Sequence, residues 1–372
     1  MPEQAFNDLP ALAQHLRDEL GKPKRKFVLL YAYNGTGKTR LCGSFKDLGK
    51  ASTGDGTHTA DTLYFSAFTE DLFSWNNDLD HDRNRVLTLN GKSRFFDGLR
   101  ELEMEVKIGQ LLDRYSTFNF YIDYEKWTVT FFHEREADGS PIPIKISRSE
   151  ESIFIWCFFL AILQLALDDS PTYDWVKYVY IDDPVSSVDE HNAIVVGNHL
   201  VQMYREAKRH IPTVISTHHA LFFNVLHYEI KNHLRGSTQY VLKRDKHTSG
   251  YRLDEQKGDT PQFYHVSALA DLWELAKGEK ISTYHFNVLR SILEKTAFFH
   301  GYAHFGSCIK KGADDAEGIL LQRFVDILSH GKYSMYEAVE MQDETREYFR
   351  AILKGFVERF PFNPALLPKE VE

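Results

Sequence analysis

The chain has 372 residues, 43% hydrophobic and 26% charged, which is ordinary globular material rather than disordered or fibrous sequence, and at roughly 100 to 200 residues per domain it has room for two. Its 53 acidic and 44 basic side chains leave a net charge of -9, which argues against broad nucleic-acid binding by bulk charge and leaves only a local basic patch for that purpose. The three cysteines, Cys42, Cys157 and Cys308, are too far apart to form a metal-spaced or redox pair, and no signal peptide opens the sequence, so a reducing cytoplasm is the expected setting.

From Phe27 to Tyr33, FVLLYAY is an unbroken apolar run that ends in Asn-Gly, the pattern of a buried strand entering a loop. The loop, AYNGTGKT from Ala32 to Thr39, precedes a helical pattern, which is the context of a phosphate-binding P-loop. Backbone N–H groups from Asn34, Gly35, Thr36 and Gly37 would cradle phosphate oxygens, Lys38 would reach the β- and γ-phosphates of GTP or ATP, and the Thr39 hydroxyl would ligate Mg²⁺. Ala32 stands where the usual pattern has its first glycine. From Ile153 to Leu167, IFIWCFFLAILQLAL is interrupted only by Gln164. It is shorter than the ~18 to 20 apolar residues a spanning helix needs. With Glu150, Glu151, Asp168 and Asp169 at its ends, a fully buried core helix is expected.

Two more buried-strand runs follow, VKYVYI ending at Asp182 and IPTVIS ending before Thr217, with a helical pattern between them from Ala193. Strands alternating with helices indicate an α/β sheet core. After about Tyr251 helical periodicity takes over, in HVSALADLWELAK, YHFNVLRSILEKTAFF, GILLQRFVDILSHG and TREYFRAILKGFVERF. The expected organisation is an α/β NTPase domain over residues 1–245 and a mostly α-helical domain over 246–372.

The motifs between these elements sharpen the nucleotide site. VYIDDPVSSVD, Val179 to Asp189, carries the apolar strand and terminal carboxylate of a Walker B segment, so that Asp182 would hold Mg²⁺ and Asp183 would orient the attacking water as general base. DDP followed by SSVD is similar to the Walker B plus D-loop of ABC-type P-loop NTPases, with Asp189 in the D-loop. In that class STHH would make His218 a switch histidine on the γ-phosphate. KISRSEES, Lys145 to Ser152, fits the place of the signature that caps a partner subunit's nucleotide: Ser147 matches its serine and Ser149 replaces its glycine. A homodimer or higher oligomer is therefore expected. No clean Q-loop is visible, and AFTEDLF, residues 67–73, would fill its place.

The interval between P-loop and signature is far too short for the long coiled coil of chromosome-maintenance ATPases. YAYNGTGKTRL, AFTEDLFSWNNDL, EESIFIW, YVYIDDPVSSVD, FFNVL and YHFNVLRSILEKTAFFHGY together resemble the PrrC family of anticodon nucleases, over nearly the whole chain. The resemblance implies a nucleotide-gated ribonuclease that cuts a tRNA, typically tRNA-Lys, in the anticodon loop. It would leave a 2′,3′-cyclic phosphate and a 5′-hydroxyl, take dTTP as a regulatory nucleotide, and be silenced by a type I restriction-modification complex until phage infection. It assigns nuclease chemistry to Arg290, Glu294 and His330, and anticodon recognition to Asp259 in KGDTPQFYH.

The residue types suit that chemistry. Cleavage through the RNA's own 2′-hydroxyl needs a base, an acid and a cation on the phosphorane, and no metal. His330 ends a helical pattern, with Gly331 as its cap, where the helix dipole favours imidazolium. Two rival readings stand beside this one. Arg290 and Glu294 could be a surface pair of about 0.2 to 0.5 kcal/mol in an ABC-type signalling or DNA-repair ATPase without ribonuclease activity. A metal-dependent DNA nuclease would instead need a carboxylate cluster after C-terminal strands, whereas the region after residue 251 reads as helical and Asp314 and Asp315 sit in a GADDAEG loop.

Overall fold

The computed structural model describes residues 3–52, 58–66, 72–77, 85–91, 93, 96, 103–185, 190–244, 250–256, 264–278, 281–309, 325, 343–362 and 367. The chain forms two compact units, Met1–Thr260 and Pro261–Glu372.

In the first unit, seven strands among the described residues form one sheet. Their order is β1 (Glu3–Phe6), β14 (Tyr251–Glu255), β13 (Ser237–Arg244), β2 (Phe27–Tyr31), β12 (Thr213–Thr217), β11 (Tyr178–Asp182) and β5 (Thr62–Ser66). The strands from β13 to β5 run parallel, and β14 and β1 continue the sheet antiparallel. Every residue of β2 and β12 is buried. Helices cover both faces of a parallel sheet, so its strands must be apolar on both. The alternation of side chains sorts them. Val28 and Leu30 join Leu12 and Leu16 of α1 (Leu9–Gly21) and Leu41 and Phe45 of α2 (Lys38–Asp47). Phe27, Leu29 and Tyr31 join the opposite core, with α4 (Arg148–Leu167), α5 (Glu190–Glu206) and α6 (Ala220–His233).

The membrane-like segment is α4, and it is apolar all round because it lies between two sheets. Toward the large sheet, the rings of Trp156 and Phe159 stand 5.0 and 5.2 Å from Phe65 of β5. On its other side, Phe154 meets Phe131 at 5.0 Å and Phe158 meets Phe73 at 5.6 Å. Those partners belong to an antiparallel sheet in the order β10 (Pro141–Pro143), β9 (Thr128–Arg135), β7 (Arg85–Leu89), β6 (Phe73–Asn77), with β8 (Asn119–Asp123) also on β9. A short pair, β3 (Ala51–Ser52) and β4 (His58–Thr59), stands apart. The helix α3 (Met104–Leu112) packs on α4.

The first unit extends beyond residue 245. Tyr251–Glu255, read from sequence as the point where helices begin, is β14, and its pairing with both β13 and β1 ties it to the nucleotide-binding sheet. Buried Tyr251 and Leu253 flank half-buried Arg252, but Asp254 is buried as well, so the strand alternation is lost after three residues.

The second unit contains α7 (Tyr264–Ala276), α8 (Thr283–Phe299) and α9 (Asp343–Arg359) around its own core. Phe286, Leu289, Ile292, Leu293 and Ala297 form the buried stripe of α8, at helical spacing, against Leu269 and Leu272 of α7 and Phe349 and Phe356 of α9. Of the segment GILLQRFVDILSHG, only Val325 is described; Asp314 and Asp315 lie outside the described residues.

One buried group makes stability depend on pH. His199 of α5 is 7% exposed, with Nδ1 2.9 Å from the Tyr115 hydroxyl. Burial, reinforced by the Arg114 charge, pushes its pKa down to about 4. The unfolded chain takes up this proton near pH 6.5 and the folded chain does not. The contribution of His199 is thus complete above pH 6.5 and is lost as pH falls toward 4. Between pH 7 and 5 the loss is expected to be on the order of 1 kcal/mol, allowing for screening at the solvent-facing edge. Urea unfolding of His199→Gln at both pH values should show a smaller pH dependence than the unaltered chain.

Candidate functional site

The P-loop leaves the end of β2 beside β12, where the Ala32 N–H donates to the Thr217 carbonyl at 3.0 Å. Gly35 and Gly37 have φ of 79° and 109°, left-handed conformations that a side chain would strain. Gly37 is the last residue before α2, so the unpaired N–H groups of the first helical turn face the loop. Lys38 is 6% exposed. Its Nζ donates to the Ala32 carbonyl at 3.2 Å and to Asn34 Oδ1 at 3.3 Å, and stands 3.6 Å from Asp183 Oδ2. Thr39 Oγ1 donates to Asp182 Oδ2 at 2.7 Å.

The other half of the site is built by sheet register. Asp182, at the end of β11, lies directly opposite Ser216 of β12, whose hydroxyl donates to Asp182 Oδ1 at 2.7 Å. Asp183 takes a left-handed φ of 54°, and its N–H bonds to the Ser216 carbonyl. Its carboxylate then accepts from Thr217 Oγ1 at 3.1 Å and the His218 N–H at 3.3 Å, while Oδ2 meets His218 Nδ1 at 2.5 Å.

Two neighbouring carboxyls are thereby set apart. Burial raises the pKa of Asp182 against the hydrogen bonds from Ser216 and Thr39. For Asp183 burial acts in the same direction, but the His218 hydrogen bond and the Lys38 charge outweigh it and hold the carboxyl below its usual range. The Thr39 hydroxyl and the Asp182 carboxylate are hard oxygen donors on one spot, a set that fits Mg²⁺. Such an ion, when bound, neutralises phosphate charge. Asp183, ion-paired with Lys38 and hydrogen-bonded to Thr217 and His218, has the charge that a water-proton acceptor would need. Sequence reading passed over Ser216 and Thr217; their signal is two adjacent hydroxyls at the end of a fully buried strand.

Ser147 is the N-cap of α4 and forms a capping box: its hydroxyl accepts from the Glu150 N–H at 3.3 Å, and Glu150 Oε2 accepts from the Ser147 N–H at 2.7 Å. Backbone and side-chain hydrogen bonds from Ser147 lower the Glu150 pKa. Ser147 and Ser149 are both exposed at this end of the helix. Asp189, Asp259 and His330 lie outside the described residues, as do residues 67–71 of the expected Q-loop segment.

In the second unit, Arg290 and Glu294 lie off the buried stripe of α8. Arg290 Nε donates to Glu294 Oε1 at 2.7 Å, with side chains 23% and 49% exposed. The guanidinium also rests 5.1 Å above the ring of buried Phe305. That ring sits in a short turn, Phe305–Cys308, capped by His304, whose Nδ1 accepts from the Gly306 N–H at 3.0 Å. The arginine is therefore held from two sides.

Phosphate loop, paired carboxylates, histidine and parallel sheet define the class: a P-loop ATPase. Residues 100–357 match the AAA domain family. A protein of Escherichia coli named anticodon nuclease is 32% identical over 349 residues, 86% of this chain and 85% of its own. The chain belongs to the anticodon nuclease family. Two solved structures are more distant: an SmcHead bound to the C-winged helix domain of ScpA, 8% identical with a TM-score of 0.34, and the SMC head domain from Thermotoga maritima, 10% identical with a TM-score of 0.28. Each match covers 63% of this chain, and 91% and 92% of the respective structures.

The capping box sets a measurable value for Ser147. Replacing it with Ala should lower the stability of the first unit by about 1 kcal/mol, read as a lower denaturant midpoint with an unchanged slope, and Ser147→Asp should restore most of the loss.

Proposed function

We propose that the protein is a nucleotide-gated endoribonuclease that cuts a tRNA in its anticodon loop, with Arg290 and Glu294 in the nuclease centre. The observation that carries this reading is the Arg290–Glu294 pair, held on the non-core face of α8 in a chain that shares 32% identity with an anticodon nuclease. Glu294 takes the proton of a 2′-hydroxyl, that oxygen forms a bond to the adjacent phosphorus, and the P–O5′ bond breaks. His330 gives a proton to the leaving 5′-oxygen. Arg290 faces the charge that develops on the phosphorane. The products are a 2′,3′-cyclic phosphate and a 5′-hydroxyl, and this step needs no metal.

The first unit supplies the gate. The P-loop residues 34–39 hold ATP or GTP with Mg²⁺, Asp183 and His218 act on the γ-phosphate side, and hydrolysis sets the state of the nuclease. A homodimer places Ser147, Ser149 and Asp189 of one subunit against nucleotide bound by the other. Asp259 reads the anticodon, with tRNA-Lys as the leading substrate. The setting is the cytoplasm, in anti-phage defence, with dTTP as a second nucleotide and a type I restriction-modification complex as silencing partner.

Magnitudes separate this reading from a structural ion pair. As a partly exposed i,i+4 pair, Arg290→Ala would cost a few tenths of a kcal/mol and leave activity intact. As a transition-state contact it is expected to lower the cleavage rate roughly a hundredfold, about 3 kcal/mol, with nucleotide binding and thermal stability unchanged. Glu294→Gln and His330→Ala should behave alike, measured as single-turnover tRNA cleavage; three variants that cut at the unaltered rate would place the nuclease centre elsewhere.

A further inference from the structure

A cavity of about 610 Å³ opens beside the phosphate loop, on the side of it that carries neither Lys38, Asp183 nor His218. One wall is a single face of α2, with Arg40, Ser44 and Asp47 at helical spacing. The turn that opens α1 forms a second wall, and Arg244 and Tyr251, at the facing ends of β13 and β14, form the third. The cavity meets the phosphate loop at two points. Arg40 directly follows Thr39, and the Tyr251 hydroxyl lies against Gly37, 3.6 Å from where a β-carbon would stand. Arg40 and Arg244 are exposed, and among the described residues neither side chain has an ion-pair or hydrogen-bond partner.

The geometry points to this cavity as the site of the nucleoside half of the bound nucleotide, with Arg40 and Arg244 stacked on the faces of a purine. This rests on the P-loop reading and extends it. Lys38, Asp183 and His218 mark the γ-phosphate end of the loop, so the remainder of the nucleotide must leave toward the opposite side, where the cavity lies. Its volume is within the range of small-molecule sites, about 300 to 1,000 Å³. A planar guanidinium stacks on an aromatic face and gives its donors to ribose oxygens. Ser44 and Asp47 supply polar groups for the edge of the base. The base would thus be gripped by residues from α2 and from the β13–β14 hairpin together, so nucleoside binding would hold the antiparallel edge of the sheet against the P-loop helix.

Calorimetric titration of the full chain with MgATP, MgGTP and magnesium tripolyphosphate tests this. Arg244→Ala and Arg40→Ala are each expected to weaken at least one of the two nucleotides by about tenfold, and to leave tripolyphosphate affinity unchanged. Lys38→Ala should weaken all three probes. Unchanged binding of all three by Lys38→Ala would remove the P-loop reading itself, a result distinct from failure of the cavity assignment. That assignment is overturned if both arginine variants bind both nucleotides normally, or if tripolyphosphate weakens as much as nucleotide, which would reduce the arginines to bulk charge. Unaltered thermal melting of the variants keeps either result free of folding effects.

Discussion

Two adjacent carboxylates buried at the end of a central strand are the constraint on which the rest of the first unit depends. An ionised carboxyl taken out of water costs several kcal/mol unless it is paired and hydrogen-bonded. Asp182 and Asp183 are 1% and 8% exposed. Their partners come from two separate segments: Lys38 and Thr39 from the P-loop helix, and Ser216, Thr217 and His218 from the end of β12. Those segments meet only because β2, β12 and β11 pair in one register, with Asp182 opposite Ser216 and Thr217 opposite Tyr31. A slip of one residue would turn the hydroxyls to the other face of the sheet and leave the charges unpaired. Fold and site are thus stabilised by the same contacts.

The α4 helix extends that dependence to the second sheet. Its aromatic residues fill the space between β5 and β9, and its first turn, capped by Ser147 and Glu150, ends at the surface. A fully apolar helix with one polar, capped end is rigid in its core and chemically distinct at its tip. The second unit has a core of its own, and α8 gives that core its apolar stripe while Arg290 lies at its edge over Phe305 and Glu294 is exposed. The guanidinium contacts both Glu294 and the Phe305 ring, so little side-chain freedom remains to be lost when it meets an anion.

The legible parts of the sequence were those where chemistry permits few substitutes. A loop that turns phosphate-ward needs glycine at Gly35 and Gly37, and a strand that ends in two carboxylates stands out against five apolar residues. The Arg290–Glu294 spacing was equally plain. Less legible was β14, because Tyr251 to Asp254 offers only two alternations before Glu255 breaks the pattern, and it adjoins long helical patterns. The antiparallel sheet was also hidden: in β9, TVTFFHER, the alternation of burial ends at Phe131, since Phe132 is buried beside it, so period two is visible over only part of the strand. Ser216 and Thr217 escaped notice because hydroxyl residues in a strand are ordinary until a neighbouring strand places carboxylates opposite them. Ser147 has a local role that its motif does not announce, since a capping box and an ABC-like signature serine call for the same residue at the same helix end.

The proposed function places a ribonuclease that acts at one place in RNA under the control of this ATPase fold. It is tested most directly by incubating the purified protein with total tRNA, with and without MgATP or MgGTP, and mapping every new end by sequencing and end-group chemistry. The expected result is nucleotide-dependent cuts confined to the anticodon loop of one or a few tRNAs, with a 2′,3′-cyclic phosphate on one fragment and a 5′-hydroxyl on the other. Intact tRNA in every nucleotide state, or fragments ending in a 3′-hydroxyl, would contradict it.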